Sequence, residues 1–263
     1  MYNFGLALSG GGAKGLAHLG IIKALEEHDM RPEILSGVSA GAIVGALYAD
    51  GRNTDEICAF FKETKFFSFV RFNLRRKKFN GLMSQERFEN MLKGELRSQT
   101  FEELSMPLYV NATDITDGKN TFFSSGSLVD KIVASASVPI FLTPKEIDGH
   151  QYVDGGIFNN MPARIIRSRC RYLIGCHVNP IIKNEPITEV LKVFERVYDL
   201  CIQSSTVPEK AVCDLLFEPI EAKSYGIFDI EHTEEIYRIG YDFASRILDG
   251  LDHDHIRRWL NRE

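Results

Sequence analysis

FGLALSGGGAKGLAHLGIIKALEEHDMRPEILSGVSAGAIVGALYAD, residues 4–50, decides the fold. A short apolar run, FGLALS, ends in Gly10-Gly11-Gly12, and Leu16, Leu19, Ile22 and Leu25 then recur at helical spacing. Pro32 opens a second short apolar run, EILSG, which turns into the small-residue helix AGAIVGALYAD, closed by Gly51. The order strand, glycine loop, helix, strand, tight turn, helix is a βαβα unit, and such units build parallel sheets with helices packed against them.

Working outward, Asn53 with Glu56 three residues on has the spacing of a capping box, which predicts a helix over TDEICAFFKE. PLYVNAT and KNTFFSS flank Asp117-Gly118, and PKEI and HQYV flank Asp148-Gly149, so two hairpins are expected. Between them SLVDKIVASAS carries Ser127 and Asp130 at capping-box spacing. The last third holds a buried strand, YLIGCHV, helices near 187–204 and 233–249, and a short amphipathic tail. No internal repeat or low-complexity linker interrupts the chain.

Composition limits what this framework can do. The 263 residues are 44% hydrophobic and 25% charged, enough for one large core, so residues 1–263 are expected to form a single domain. A net charge of -5 argues against a general nucleic-acid binder. The five cysteines are odd in number and contain no C-x-x-C pair, which suggests neither a disulfide framework nor a zinc site. The N-terminus lacks a basic region followed by a sustained apolar run, and no segment has the roughly 20 apolar residues needed to span a bilayer. The expected setting is cytoplasmic, with peripheral contact at a membrane as an option.

Two glycine motifs carry the chemistry. Gly37-Val38-Ser39-Ala40-Gly41 is a G-x-S-x-G pentapeptide where a strand turns sharply into a helix, the position of a nucleophile elbow. Gly37 and Gly41 let the backbone tighten and the helix approach, and Ser39 is the candidate nucleophile. Gly10-Gly11-Gly12-Ala13-Lys14-Gly15 also fits G-x-G-x-x-G, the dinucleotide fingerprint. That rival, an NAD(P)-binding oxidoreductase, requires an acid about 20 residues on at the end of the second strand. This strand ends instead in Ser36-Gly37-Val38-Ser39. The N–H groups of Gly10, Gly11 and Gly12 can alternatively stabilise an oxyanion, because neighbouring loops of a parallel sheet emerge at one edge. Lys14, at a helix N-terminus, is expected to turn towards solvent, away from the dipole it opposes, or to meet an anionic substrate.

A serine needs a base, and histidine is the usual one. His18 shares a face with Ile22 and Leu25 and reads as packed. His28, His232, His253 and His255 lie in charged surroundings, and His150 lies in a hairpin. His177, near the end of an apolar strand, is the remaining contender. Against it stands Asp154-Gly155-Gly156, a carboxylate on a loop whose glycines permit close backbone approach; taken alone it is also an ordinary turn.

GGGAKG, GVSAG and DGG in that order, with ASASVPIFLTP between the second and third, resemble the patatin-like phospholipase family over about residues 4–180. The resemblance implies a three-layer α/β/α fold around a mainly parallel sheet, and a lipid acyl hydrolase of phospholipase A or lysophospholipase type that uses no metal or cofactor. It also implies a Ser–Asp dyad: Ser39 as nucleophile, Asp154 as base, and the loop Gly10–Gly12 as oxyanion hole, with Lys14, Gly15, Gly37, Gly41, Gly155 and Gly156 supporting. An aspartate titrates near about 4 and is a poor base in water, but apolar burial raises its pKa. A lipid-binding protein without turnover is the third class to separate from these.

FFKETKFFSFVRFNLRRKKF, residues 60–79, holds seven of the eighteen phenylalanines and seven Lys or Arg against one Glu. Cations interleaved with rings suit an anionic membrane surface, with Arg75, Arg76, Lys77 and Lys78 as the basic cluster. A lid over the cleft and a plain basic loop are the alternatives.

Overall fold

The computed structural model describes residues 1–63, 85–180, 188, 190–226 and 229–251. The cluster Arg75, Arg76, Lys77 and Lys78 and the amphipathic tail lie outside these residues.

β1 (Tyr2–Leu8), β2 (Ile34–Gly37), β3 (Leu108–Asp114), β7 (Cys170–Cys176) and β8 (Leu215–Phe217) run parallel, with β1 between β2 and β7. The two expected hairpins add β4 (Lys119–Phe123) to β3, and β5 (Lys145–Ile147) to β6 (His150–Asp154), all antiparallel. β4 takes one edge of β3 along Val110–Asp114. The other edge is divided: β2 lies along Leu108–Val110 and β6 along Ala112–Asp114. β2 and β6 therefore meet end to end beside one strand, with Gly37 opposite Val110 and Asp154 opposite Ala112.

Alternation along β1 assigns the layers. Phe4, Leu6 and Leu8 enter the large core with α1 (Leu16–Glu27), α2 (Ala40–Ala49), α3 (Thr54–Glu63), α4 (Gln85–Glu95), α5 (Leu128–Ser135) and α8 (Thr233–Asp249). Ala7 faces a smaller core on the other side, formed by Met161, Ala163, Ile166 and Leu173 beside α6 (Arg164–Arg167). The result is a three-layer α/β/α arrangement with a thick and a thin helical layer. Leu16, Leu19, Ile22 and Leu25 of α1 are all buried, each stabilising the fold by roughly 1.5–3 kcal/mol. The predicted capping box is reciprocal: Asn53 N–H donates to Glu56 Oε2 at 3.0 Å and Glu56 N–H to Asn53 Oδ1 at 2.8 Å. Ser127 differs. Its side chain caps no backbone N–H of α5 but bonds the Asp130 carboxylate, which also pairs with Lys145 at 2.8 Å.

α7 (Val190–Lys210) packs against the turn that follows β6. Its polar residues Ser205 and Glu209 face inward and hold the chain after Asp154: Asn160 N–H donates to Ser205 Oγ at 3.2 Å, and Arg164 N–H to Glu209 Oε2 at 2.7 Å. Val193, Val197, Leu200 and Val207 of the same helix are exposed. No described helix is long and apolar enough to cross a membrane.

Candidate active site

Ser39 stands where β2 becomes α2, with φ 53° and ψ -122°, a conformation L-residues avoid and one that strands use to present a side chain at a sharp turn. The neighbouring glycines make the turn possible. A Cβ on Gly41 would lie 2.4 Å from Leu8 O, and one on Gly37 would lie 2.5 Å from Gly41 O. Ser39 N–H donates to Ser135 Oγ at 3.0 Å, and the residue keeps 8% of its surface exposed.

Asp154 ends β6 and is 1% exposed. Its backbone is pinned on both sides: its N–H donates to Ser137 O at 2.9 Å, and Thr113 Oγ1 donates to its carbonyl at 2.9 Å. Gly155 presses against β3, where a Cβ would lie 2.3 Å from Asn111 O. Gly156 N–H donates to Asp154 Oδ1 at 2.8 Å. Burial pushes the Asp154 carboxyl up to about 6, while hydrogen bonding from the Ser39 hydroxyl, the Gly156 N–H and the Tyr198 phenol pulls it back. Oδ2 itself has no partner of strict hydrogen-bond geometry among the described residues, so the serine and tyrosine contacts are loose ones. Tyr198 was not foreseen: it lies on α7, 44 positions beyond the aspartate, and nothing local in its sequence marks it. Burial and the Asp154 charge raise its own pKa well above that of a free tyrosine, so it remains a donor.

The glycine loop runs past the serine from β1. Gly10 N–H is committed to Asn160 O at 3.2 Å, whereas those of Gly11 and Gly12 meet no acceptor among the described residues. Gly12–Gly15 form a single 3-10 turn ahead of α1, and Gly15 closes against Ala40, whose Cβ would be 2.6 Å from an added methyl. Lys14 corrects its expectation. It does not turn into solvent but is 7% exposed, its ammonium bonded to Asn179 Oδ1. The 3-10 turn aims it at the loop after β7 rather than along the axis of α1, and Asn179 in turn donates to Asp199 Oδ1 at 3.1 Å.

Neither buried histidine serves the serine. His18 Nε2 bonds Ser9 O at 2.8 Å, and burial lowers the imidazole to about 4. His177 Nδ1 bonds Glu218 Oε1 at 2.9 Å; burial lowers its pKa too, while the partnership holds Glu218 down at about 2. Among the described residues no imidazole bonds Ser39 or Asp154. Asp114, Asp117 and His150 are close enough together to act as metal ligands, but the Lys119 ammonium sits 2.5 Å from Asp117 and 3.9 Å from Asp114, the place a cation would take.

The sequence model of patatin-like phospholipase matches residues 6–167. Human patatin-like phospholipase domain-containing protein 6 is 25% identical over 95% of this chain and 20% of its own length. The lysophospholipase NTE1 of Saccharomyces cerevisiae is 26% identical over 95% of this chain and 17% of its own. The chain thus spans about a fifth of the length of the curated relatives it matches. Among solved structures, VipD from Legionella pneumophila superposes with a TM-score of 0.54 at 16% identity, over 94% of this chain and 66% of that one. Human GIVD cytosolic phospholipase A2 in complex with methyl gamma-linolenyl fluorophosphonate gives 0.51 at 12% identity, over 99% and 59%. At these identities the two structures speak for the fold.

Proposed function

The chain belongs to the patatin-like phospholipase family, and from that premise we propose that residues 1–263 form a serine acyl hydrolase acting on carboxylic esters of lipids, with a phospholipid or lysophospholipid as substrate. The observation that carries this reading is a buried carboxyl poised near neutrality beside a strained serine: Asp154, raised to about 6, faces Ser39, and among the described residues no imidazole lies between them. A carboxylate with a raised pKa has enough proton affinity to serve as general base and is still largely ionised above neutrality.

Ser39 Oγ attacks the acyl carbonyl as Asp154 takes its proton. The pair from the carbonyl π bond moves to oxygen, where the N–H groups of Gly11 and Gly12 stabilise it. Collapse expels the alcohol, which recovers its proton from Asp154, and leaves an acyl-serine. Water, deprotonated by the same carboxylate, then releases the fatty acid.

Purified protein should release fatty acid from micellar lysophospholipid, hydrolyse a p-nitrophenyl ester and be labelled at Ser39 by a fluorophosphonate. Ser39→Ala should abolish all three, and Asp154→Asn, which keeps the shape but accepts no proton, should lower turnover by at least about a thousandfold. If His177→Ala does the same in a protein that melts near wild type, the base is misassigned. NAD binding without labelling would favour the dinucleotide reading.

Peripheral membrane contact through Arg75, Arg76, Lys77 and Lys78 rests on the sequence of that segment alone. Replacing the four by glutamine should weaken binding to anionic vesicles and spare hydrolysis of a soluble ester. Unchanged vesicle binding rejects the contact.

A further inference from the structure

Asn160 is 1% exposed, and its amide nitrogen Nδ2 is buried with no hydrogen-bond partner among the described residues. Burying a carboxamide donor without an acceptor is costly, and native proteins rarely leave one so. The backbone of the residue is fully used, its N–H donating to Ser205 Oγ at 3.2 Å and its carbonyl accepting from Gly10 N–H at 3.2 Å. Only the side chain is left over.

That side chain lies between the nucleophile and the base. The point a Cβ on Gly10 would occupy is 2.5 Å from Asn160 Oδ1 and 3.2 Å from Ser39 Cβ. The point a Cβ on Gly156 would occupy is 2.7 Å from the same Oδ1 and 3.0 Å from Asp154 Oδ1. Both positions are glycine, and a Cβ at either would collide with the carboxamide, so the side chain packs directly against the loop beside Ser39 and the turn beside Asp154. Oδ1 is the end nearest both glycines; a half-turn about the Cβ–Cγ bond exchanges the nitrogen and oxygen ends in nearly the same volume and brings the N–H₂ to the serine side.

We propose that Asn160 is a catalytic residue, a side-chain donor of the oxyanion hole. Gly10, the glycine of the loop nearest to it, has spent its N–H on Asn160 O, and the Asn160 amide supplies a donor at that end of the hole. As Ser39 Oγ bonds to the acyl carbon, the carbonyl π pair moves to oxygen, and an Asn160 N–H joins those of Gly11 and Gly12 in bonding that oxygen. The proton meanwhile resides on Asp154 and leaves with the alcohol. The substrate oxygen satisfies the donor that is unpartnered at rest, so the bond strengthens as charge develops.

The inference rests on the hydrolase reading, and the experiment separates the two. Wild type, Asn160→Ala and Asn160→Ser are assayed on a soluble p-nitrophenyl ester and titrated with an alkyl trifluoromethyl ketone, which forms an oxyanion with the serine. Both variants should lose about 10²- to 10³-fold in kcat, the effect of removing one oxyanion donor. KM should change by less than about threefold, and ketone affinity should fall in step with kcat/KM. The melting temperature should stay near wild type, because the amide nitrogen makes no bond to lose. Unchanged kcat, a kcat loss with unchanged ketone affinity, or failure of both variants to fold would overturn the assignment. An inactive wild type would instead overturn the hydrolase reading.

Discussion

The nucleophile and the base approach each other from two differently built halves of one site. The Ser39 half is made of backbone: β1, β2 and the first turn of α2 close on one another through glycines whose missing Cβ atoms would strike carbonyl oxygens. The Asp154 half shares one such contact, Gly155 against Asn111 O, but is otherwise held by side chains. Thr113, Asn111, Tyr198, Ser205 and Glu209 hold the aspartate and the turn after it by hydrogen bonds that originate on β3 and α7. Backbone in contact with backbone cannot yield, so the first half tolerates no added atom. A network of polar side chains can lose one member and keep its shape, so the second half can be tuned, above all in the pKa of its carboxyl.

The sharpest way to break this contrast is Gly41→Ala. The new methyl would lie 2.4 Å from Leu8 O and 2.6 Å from Ser9 O, so α2 must withdraw from β1 and carry Ser39 with it. A displacement near 1 Å costs on the order of a hundredfold in rate, and ester turnover should fall by at least that much. Gly45→Ala, one turn along the same helix, is the control. Its methyl would meet side-chain carbons, Leu108 Cδ1 at 3.3 Å and Leu8 Cδ1 at 3.5 Å, which can shift, and turnover should remain within about threefold of wild type. Equal activity of the two variants, measured with a soluble ester, would show that the backbone contact at Gly41 is not what fixes Ser39.

The same contrast explains what the sequence disclosed. The Ser39 half is punctuated locally: a strand, a glycine loop, a helix and a tight turn fall within residues 4–50, and Gly10, Gly15, Gly37 and Gly41 each mark a close approach that the fold makes. The hairpins at Asp117-Gly118 and Asp148-Gly149 and the box at Asn53 and Glu56 were legible for the same reason. Asp154 was not. Asp154-Gly155-Gly156 alone reads as a turn, and its role came from resemblance, because the end-to-end meeting of β2 and β6 along β3 is a fact of register between distant segments. Lys14 was misread because its environment belongs to Asn179, 165 positions away. Tyr198 and Asn160 were missed outright. The only sequence trace of Asn160 is an asparagine pair just after the glycines, which reads as loop chemistry.

Tyr198→Phe tests the tunable half with a smaller and directional effect. The phenol bonds the Asp154 carboxyl and favours its charged form, opposing the burial that raises it to about 6. The tyrosine's own pKa is pushed well above its ordinary value, so it stays a donor across the working range. Phenylalanine removes the hydroxyl alone, burial then acts with less opposition, and the carboxyl pKa rises further. The contact is a loose one, so it falls at or below the low end of the about 1.5–3 kcal/mol of a hydrogen bond to a charged group, and the rise should be at most about one unit. Because the base must be ionised to accept the serine proton, the acidic limb of kcat/KM against pH should move upward by that amount. The rate should be several-fold lower near pH 6 and close to wild type near pH 9. Stability gives an independent sign. Asp154 titrates above its ordinary value of 3.8 in the folded chain, so its contribution to stability is complete below that value and is lost as pH rises through about 6. Tyr198 offsets part of that loss by bonding the charged form. The variant should therefore melt below wild type by a larger margin at pH 8 than at pH 4. An acidic limb that stays in place, with the melting gap equal at the two pH values, would show that Tyr198 packs beside the base without acting on it.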